Sequence, residues 1–168
     1  TFTRPSLGLH EYGGTKRNNI VWTGLGCHNF TPYRDPNPET PEEQRYKALG
    51  RLKTDDGPGL LAFASPDGYR WSLPREEMVS TDGAFDSQTL AFWDAELGLY
   101  VCYFRGFRDG VRDIKRCTSA DFLNWSETEW LDYGDAPAEH LYTNAVTPYF
   151  RAPHIYLGFP CRFVPSRR

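Results

Sequence analysis

One seven-residue segment of this chain occurs twice with the same chemistry at the same positions. Residues 65–71 (SPDGYRW) and residues 119–125 (SADFLNW) share their serine, aspartate and tryptophan, and the two serines are 119 − 65 = 54 residues apart. A period of roughly 40–55 residues with strand and turn content is typical of radial arrays of small β-sheets, in which each sheet needs its neighbours to cover its faces. The repeat therefore constrains the fold more than any other feature.

The repeat continues upstream without a gap, because residues 45–49 (RYKAL) and 99–103 (LYVCY) have the same 54-residue offset. Each 27-residue unit is predicted to contain a strand, a polar turn, a second strand and a tight turn that ends in tryptophan. Asp67 is expected to accept backbone N–H groups within its turn. Phe122 stands where the first copy has Gly68, and we expect the second turn to differ, because glycine adopts a positive φ most easily.

A third recurring element is a short segment that begins with amides. Residues 18–21 (NNIV), 87–92 (SQTLAF) and 143–146 (TNAV) are predicted to be the innermost strands of propeller blades. Asn19, Gln88 and Asn144 align in these segments, and they are predicted to meet at the mouth of the axial funnel as ligand contacts. The larger first spacing is attributed to a Pro-rich insertion over residues 24–43.

These patterns predict an all-β fold, namely a partial propeller of about two and a half blades built from antiparallel four-stranded sheets. The single domain of residues 1–168 divides into an incomplete blade, two blades and a second incomplete blade, at residues 1–17, about 18–72, about 85–126 and about 141–168. Closed propellers usually have four to eight blades. We therefore expect this chain to be part of a larger propeller, or to form a homodimer through exposed blade edges.

Composition excludes some classes of function. A net charge of −3 and the absence of a basic stripe disfavour nucleic-acid binding, and no apolar run is long enough to span a bilayer. The 15% aromatic content suits carbohydrate binding as well as core packing. No phosphate-binding or dinucleotide motif indicates a cofactor, although amide and carboxylate oxygens at the axis could hold Ca²⁺ or Na⁺.

The four cysteines lack the spacing of a zinc site, and Cys102 and Cys117 could face each other across adjacent strands. The cysteines do not decide the redox compartment. A secreted or periplasmic location is slightly favoured as an expectation.

The chain resembles the five-bladed propeller glycosidases, the superfamily of arabinanases, invertases and levansucrases. It is most similar to uncharacterised bacterial proteins that resemble glycoside hydrolase family 32. The segments that carry the resemblance are residues 18–21, 45–47, 65–71, 85–88 and 141–150. The resemblance implies a five-bladed propeller that acts on glycosidic bonds with three carboxylates at the starts of its axial strands. One carboxylate attacks or activates water, one protonates the leaving oxygen, and one orients the sugar hydroxyls.

The resemblance suggests residues for two of these roles, Asp86 and Glu139, and it assigns no nucleophile, which is expected to lie in a blade outside this segment. Asp86, in residues 85–93 (FDSQTLAFW), matches the carboxylate that orients the sugar, although the arginine and proline of the family's Arg-Asp-Pro motif are absent. Asp86 could instead cap the turn after Asp82. Glu139 is the candidate general acid. Asp35 lies in a literal Arg-Asp-Pro sequence within the Pro-rich loop, from which it could reach the funnel, or it could form an ordinary turn.

Further candidate ligand contacts flank the axial strands, and they are His28, His140, Tyr142 and Arg151. Tyr142 occupies the position aligned with Asp86, where the family would have a carboxylate. The sequence therefore favours a glycoside hydrolase-like protein. The alternatives are a carbohydrate-binding propeller without activity and an inactive truncated product.

Overall fold

The computed structural model describes residues 3–167, which form three antiparallel sheets, none of them closed. The first sheet contains β1 (His28–Arg34), β2 (Tyr46–Thr54) and β3 (Gly57–Ser65). The second contains β4 (Leu90–Asp94), β5 (Leu99–Arg108), β6 (Val111–Ser119) and β7 (Glu129–Trp130). The third contains β8 (Thr147–Tyr149) and β9 (Ala152–Leu157), and the only helical element in the described residues is a 3₁₀ turn, Glu42–Gln44. The all-β prediction is confirmed, and the number of propeller blades stays a prediction.

The two long hairpins, β2–β3 and β5–β6, share one register. Tyr46 pairs with Ser65 in the first hairpin and Tyr100 pairs with Ser119 in the second, so the 54-residue offset holds on both strands. Only two residues separate the two strands in each hairpin. In the second hairpin those residues have φ of 52° and 77°, as the right-handed twist of a two-residue hairpin favours.

The repeated Ser-x-Asp-x-x-x-Trp turn has the same hydrogen bonds in both copies. Each serine Oγ accepts a hydrogen bond from the N–H three residues later, at 2.9 Å in both turns. Each aspartate accepts hydrogen bonds from the N–H groups two and three residues later, at distances of 2.7–2.9 Å. Each tryptophan Nε1 donates to the carbonyl three residues earlier at 3.1 Å. The side chains therefore specify this turn locally.

The expectation that the second turn would differ is wrong. Phe122 has φ of 68° and Gly68 has φ of 76°, so both occupy the left-handed region. A non-glycine residue in that region costs about 1–2 kcal/mol. Phe122 is 2% exposed and packs against the rings of Tyr33, Tyr100 and Trp125. Burial of this ring offsets the backbone strain.

Four-stranded sheets are not general in the described residues, because only the second sheet has four strands. In the first sheet the fourth strand is reduced to a single bridge between Leu60 and Ser80. The segment before Ser80 contains Pro74 and the charged pair Glu76 and Glu77, and these residue types are poor partners in a ladder.

The predicted first axial strand is also wrong, because residues 18–21 are not a strand. The first strand of the first sheet is β1, which lies within the supposed insertion and pairs with β2 as β4 pairs with β5. Proline at position 32 is tolerated because β1 is an edge strand. The polar residues and the proline of β1 hide the alternation of apolar and polar residues that would identify a strand. Val21 and Trp22 are not in a strand but pack against the buried cluster of Ala48, Leu61 and Phe63.

The sheets pack against one another through apolar side chains. Leu49, Leu60 and Ala62 of the first sheet share one buried cluster with Cys102 and Phe104 of the second. A further cluster joins the opposite face of the second sheet to the third, with Val101, Tyr103, Ile114, Val146 and Tyr156 among its members. The second sheet is therefore covered on both faces.

Cys102 and Cys117 are directly opposite each other on β5 and β6, as the sequence allowed. Both are buried and neither forms a disulfide. Burial, and then the hydrogen bond with Cys117, raises the pKa of the Cys102 thiol.

Candidate functional site

Asp35, a predicted catalytic residue, is a buried structural group. Its side chain accepts hydrogen bonds from Thr40 Oγ1 at 2.6 Å and Tyr100 Oη at 2.7 Å, and it pairs with Lys47 Nζ at 2.8 Å. Burial raises the pKa of this carboxyl, but the hydrogen bonds from Lys47, Thr40, the Asn37 N–H and Tyr100 outweigh burial and lower it. Asp35 thus attaches the Pro-rich loop to the second sheet.

Asp94 repeats this arrangement one sheet later. Asp35 follows the β1 residue that pairs with Tyr46, and Asp94 follows the β4 residue that pairs with Tyr100. Asp94 accepts a hydrogen bond from Tyr156 Oη of the third sheet, so each aspartate bonds to a tyrosine of the next sheet. Burial raises the pKa of Asp94, whereas the hydrogen bonds from Tyr156, Leu97 and Glu96 lower it overall.

These two aspartates lie at the end of the sheets opposite Asp86. Asp86 precedes the start of β4, whereas Asp35 follows the end of β1 and Asp94 is the last residue of β4. The structure therefore does not bring Asp35 and Asp86, two of the three predicted catalytic carboxylates, into one site.

The amides at the strand starts join neighbouring sheets. Asn144 is 2% exposed, and its Nδ2 donates to the carbonyls of Gln88 (3.0 Å) and Tyr103 (3.3 Å). The Ala145 N–H donates to Gln88 Oε1 at 2.8 Å. Gln88 and Asn144 therefore meet as predicted, but Asn144 has both amide hydrogens engaged within the protein.

Asn19 does not join them through any hydrogen bond in residues 3–167, and its side chain is exposed. Asn29 is the residue of the first sheet that matches Gln88, since each lies two positions before a paired strand residue, Thr31 or Leu90. Its Nδ2 donates to the carbonyls of Phe85 and Ser87, both at 3.0 Å. The register of β1 against β2 identifies Asn29 as the equivalent of Gln88. The sequence analysis assigned this role to Asn19 because residues 18–21 resemble the other two amide-containing segments.

Asp86 lies beside two arginines, which the sequence did not indicate, and beside aromatic rings that include the predicted contact Tyr142. Its half-exposed carboxylate pairs with the Arg105 guanidinium, which is buried. The Arg105 guanidinium carbon lies 5.0 Å from the ring centroid of Tyr142 and 5.2 Å from that of Phe107. Arg112 lies over the same two rings at 5.8 Å and 5.4 Å. We call Asp86, Arg105, Phe107, Arg112 and Tyr142 the arginine cluster.

Residues 139–142 run alongside β6 and separate the arginine cluster from a cavity. The Leu141 N–H donates to the Arg112 carbonyl at 2.9 Å, and the Arg112 N–H donates to His140 Nδ1 at 3.1 Å. His140 and Tyr142 point to the arginine cluster, whereas Glu139 and Leu141 line the cavity. This alternation places the predicted contacts His140 and Tyr142 beside Asp86, and it places Glu139 on the opposite side.

The cavity has a volume of about 500 Å³ and lies beside the tip of the β5–β6 hairpin. We call it the hairpin cavity, and the lining residues that matter chemically are Arg108, Asp113, Trp130, Asp132, Tyr133 and Glu139. Gly106 allows the indole of Trp130 to approach β5, because a Cβ at that position would lie 2.6 Å from Trp130 Cη2.

Two ion pairs form around this cavity. Arg108 pairs with Asp113 and lies 5.3 Å from the Trp130 ring centroid. Glu139 pairs with Arg162 at 2.9 Å. Burial, and then the charge of Asp113, raises the pKa of the Tyr133 hydroxyl, which therefore stays a hydrogen-bond donor at neutral pH. The cavity thus offers aromatic surface, carboxyl groups and a hydroxyl to a ligand.

The other predicted contacts lie elsewhere. His28 is an exposed residue at the start of β1, opposite Arg51. Arg151 is exposed in the β8–β9 turn and lies 5.2 Å from the Phe150 ring. Across residues 3–167, no three acidic, histidine or cysteine side chains converge as metal ligands, and no helix is long and apolar enough to cross a bilayer.

Comparisons of this chain with protein-family models, with curated proteins and with solved structures found no match.

Proposed function

We propose that this chain binds a carbohydrate in the hairpin cavity. The observation that carries the proposal is the lining of that cavity, in which Tyr133, 41% exposed, and Trp130 stand with Asp132 and Glu139 around one space of about 500 Å³. Aromatic surface covers the apolar faces of a sugar ring, and carboxylates accept hydrogen bonds from its hydroxyls. Small-molecule sites commonly have volumes of roughly 300–1,000 Å³, so the space suits a short oligosaccharide.

Binding is supported better than hydrolysis by the state of the carboxylates. Asp86 is paired with Arg105 and Asp35 is paired with Lys47, so each of these carboxylates already has a cationic partner within the protein. A general acid needs a raised pKa. Burial raises the pKa of Asp35, but its hydrogen bonds, with that from Lys47 the largest, lower it overall.

Hydrolysis of a glycosidic bond is the second candidate, and one observation favours it. Glu139 and Asp132 line the same cavity, and glycosidases need two carboxylates that flank the scissile bond. The resemblance to propeller glycosidases assigns the general acid to Glu139. In this candidate Asp132 would supply the second carboxylate, a residue that the sequence did not single out.

The binding proposal is tested by isothermal titration with neutral arabino- and fructo-oligosaccharides. We expect the wild-type chain to bind at least one of them, and we expect Tyr133→Ala to weaken that binding about 10-fold or more, because an aromatic contact is worth on the order of 1 kcal/mol beyond its buried area. Tyr12→Ala is the matched control, since Tyr12 is 73% exposed and does not line the cavity. Equal affinities for Tyr133→Ala and wild type would contradict the proposal.

Hydrolysis is tested separately with nitrophenyl glycosides of the same sugars. Under the second candidate, Glu139→Gln abolishes release of nitrophenol. Glu129→Gln is the matched control, because Glu129 is also an exposed acid paired with an arginine, at 2.6 Å from Arg116. Activity that persists in Glu139→Gln would exclude this role for Glu139, and binding without any release of nitrophenol leaves carbohydrate binding as the function.

A further inference from the structure

The arginine cluster contains cationic donors that lack acceptors. Arg105 is 2% exposed, and its pairing with Asp86 uses only Nη2. Its Nε and Nη1, and Nε of Arg112, are buried without a hydrogen-bond partner among the described residues. A buried donor without a partner costs about 1–3 kcal/mol, and a charged donor costs more. A buried charged donor without a partner therefore calls for an explanation, and an ion bound beside it is one.

The geometry of the cluster concentrates positive charge. Both guanidinium carbons lie within 6 Å of the ring centroids of Phe107 and Tyr142, so the two cations share one aromatic surface. Asp86 is the one carboxylate in the described residues that pairs with either arginine. One carboxylate against two guanidinium groups leaves a net positive site, which favours an anionic ligand.

Two of the rings that cover the arginines are open to solvent, whereas Phe163, whose ring centroid lies 4.5 Å from the Arg112 guanidinium carbon, is partly buried. Phe107 is 50% exposed and Tyr142 is 37% exposed, and the side chain of Asp86 is 45% exposed. A ligand that displaces Asp86 or moves the Tyr142 ring therefore reaches the guanidinium groups from solvent.

The first sheet shows that this site is specific to the second. Arg51 corresponds to Arg105 at the 54-residue offset, and its Nε is also buried without a partner. Pro58, however, stands where the second sheet has Arg112, and Lys53 stands where it has Phe107. The first sheet therefore has no second guanidinium and no aromatic cover at this position.

We propose that Arg105 and Arg112 bind the carboxylate of an acidic sugar. The planar guanidinium fork matches the geometry of a carboxylate and forms charge-assisted hydrogen bonds with it. The choice of a sugar as the carrier of the carboxylate rests on the proposed function, whereas binding of the oxyanion itself does not. In this assignment Asp86 occupies the anion site and competes with the ligand.

The test is isothermal titration of the full chain at constant ionic strength with three probes, D-glucuronate, D-glucose and inorganic sulfate. We expect glucuronate to bind and glucose not to bind at this site. Arg112→Gln should weaken glucuronate binding about 10-fold or more, because a hydrogen bond to a charged group contributes about 1.5–3 kcal/mol. Arg112→Lys should recover only part of the affinity, since lysine lacks the fork.

Two further variants separate a binding role from a structural one. Arg116→Gln is the matched control on the same strand, since Arg116 pairs with Glu129 outside the cluster, and we expect unchanged affinity. Asp86→Asn should strengthen glucuronate binding several-fold, because it removes the competing carboxylate. A purely structural ion pair would predict no gain in affinity.

Each outcome decides the proposal. Binding of both glucuronate and sulfate supports a general oxyanion site, and binding of glucuronate alone supports an acidic sugar. Equal binding of glucuronate and glucose, or an unchanged affinity in Arg112→Gln and Arg112→Lys, overturns the anion site. If neutral oligosaccharides do not bind the hairpin cavity, the proposed function is refuted. The anion site is still supported in that case if glucuronate binds and its binding depends on Arg112.

Discussion

The turns that follow β3 in the first sheet and β6 in the second sheet have the same conformation but different residues at the position with positive φ. The turn after β3 has Gly68 at φ 76°, which glycine adopts without strain, and the turn after β6 has Phe122 at φ 68°. The serine and aspartate hydrogen bonds are the same in both turns. The shared hydrogen bonds therefore define the conformation of this turn. Where glycine is absent, the burial of an aromatic side chain compensates for the strain of a positive φ.

A second difference concerns the aspartates that join the sheets. Asp35 pairs with Lys47 in the interior, whereas Asp94 has a tyrosine hydroxyl and backbone N–H groups as partners. At the 54-residue offset, Val101 replaces Lys47, so the second sheet has no cation at this position. The aspartate at this position thus forms an ion pair in the first sheet, whereas in the second sheet it accepts hydrogen bonds from neutral donors.

The largest expected effect comes from removing the aromatic compensation at the second turn. Phe122→Ala should lower the free energy of unfolding by about 3–5 kcal/mol, because it removes a buried ring and keeps the strained backbone. Gly68→Ala should lower the free energy of unfolding by only about 1–2 kcal/mol, since it places a non-glycine residue at a positive φ and removes no packed side chain. Urea unfolding of both variants measures the difference, and equal losses would show that Phe122 does not compensate the turn.

A smaller effect is expected at the aspartates between the sheets. Asp35→Asn should lower the free energy of unfolding by about 3 kcal/mol, because Lys47, whose side chain is 4% exposed, loses its counter-ion. Asp94→Asn should cost about 1–2 kcal/mol, since it alters hydrogen bonds with neutral partners. Thermal and urea unfolding of the two variants test the comparison. A larger loss for Asp94→Asn would contradict the assignment of Lys47 as the source of the difference.

The smallest effect is a pH dependence that the two turns share. Hydrogen bonds with the Arg70 N–H lower the pKa of Asp67 to about 2, and in Asp121 the bonds from Asn124 and Leu123 outweigh burial and lower the pKa to about 2. Because both pKa values are lower in the folded state, these groups stabilise the fold above the unfolded pKa of about 3.9. This stability is lost as the pH falls towards 2.

Urea unfolding between pH 5 and pH 2 checks this dependence. The double variant Asp67→Asn, Asp121→Asn should lose less stability over that range than the wild type, because asparagine does not titrate. Parallel pH profiles for the two proteins would refute the contribution of these carboxylates.

The repeat and the hairpins could be predicted from the sequence because their determinants are local. Ser65 and Ser119 each bond within their own turn, and two-residue turns set the register of each hairpin. The candidate site could be predicted only in part. Asp86, Gln88, Asn144, His140 and Tyr142 do lie near the start of β4, but Arg105 and Arg112 gave no signal, because their burial depends on packing between sheets.

The amino-acid sequence alone therefore determined the antiparallel hairpin unit, its 54-residue offset and its capped turn, since short-range hydrogen bonds and turn geometry specify them. Tertiary structure decided which segment became the first strand of the first sheet, and it engaged Asn144 and Asp35 in contacts between sheets. It also buried Arg105 and placed Arg112 over the same aromatic rings. These outcomes depend on which sheet faces pack together, and the energies of such contacts between distant segments are not encoded in any single stretch of the chain.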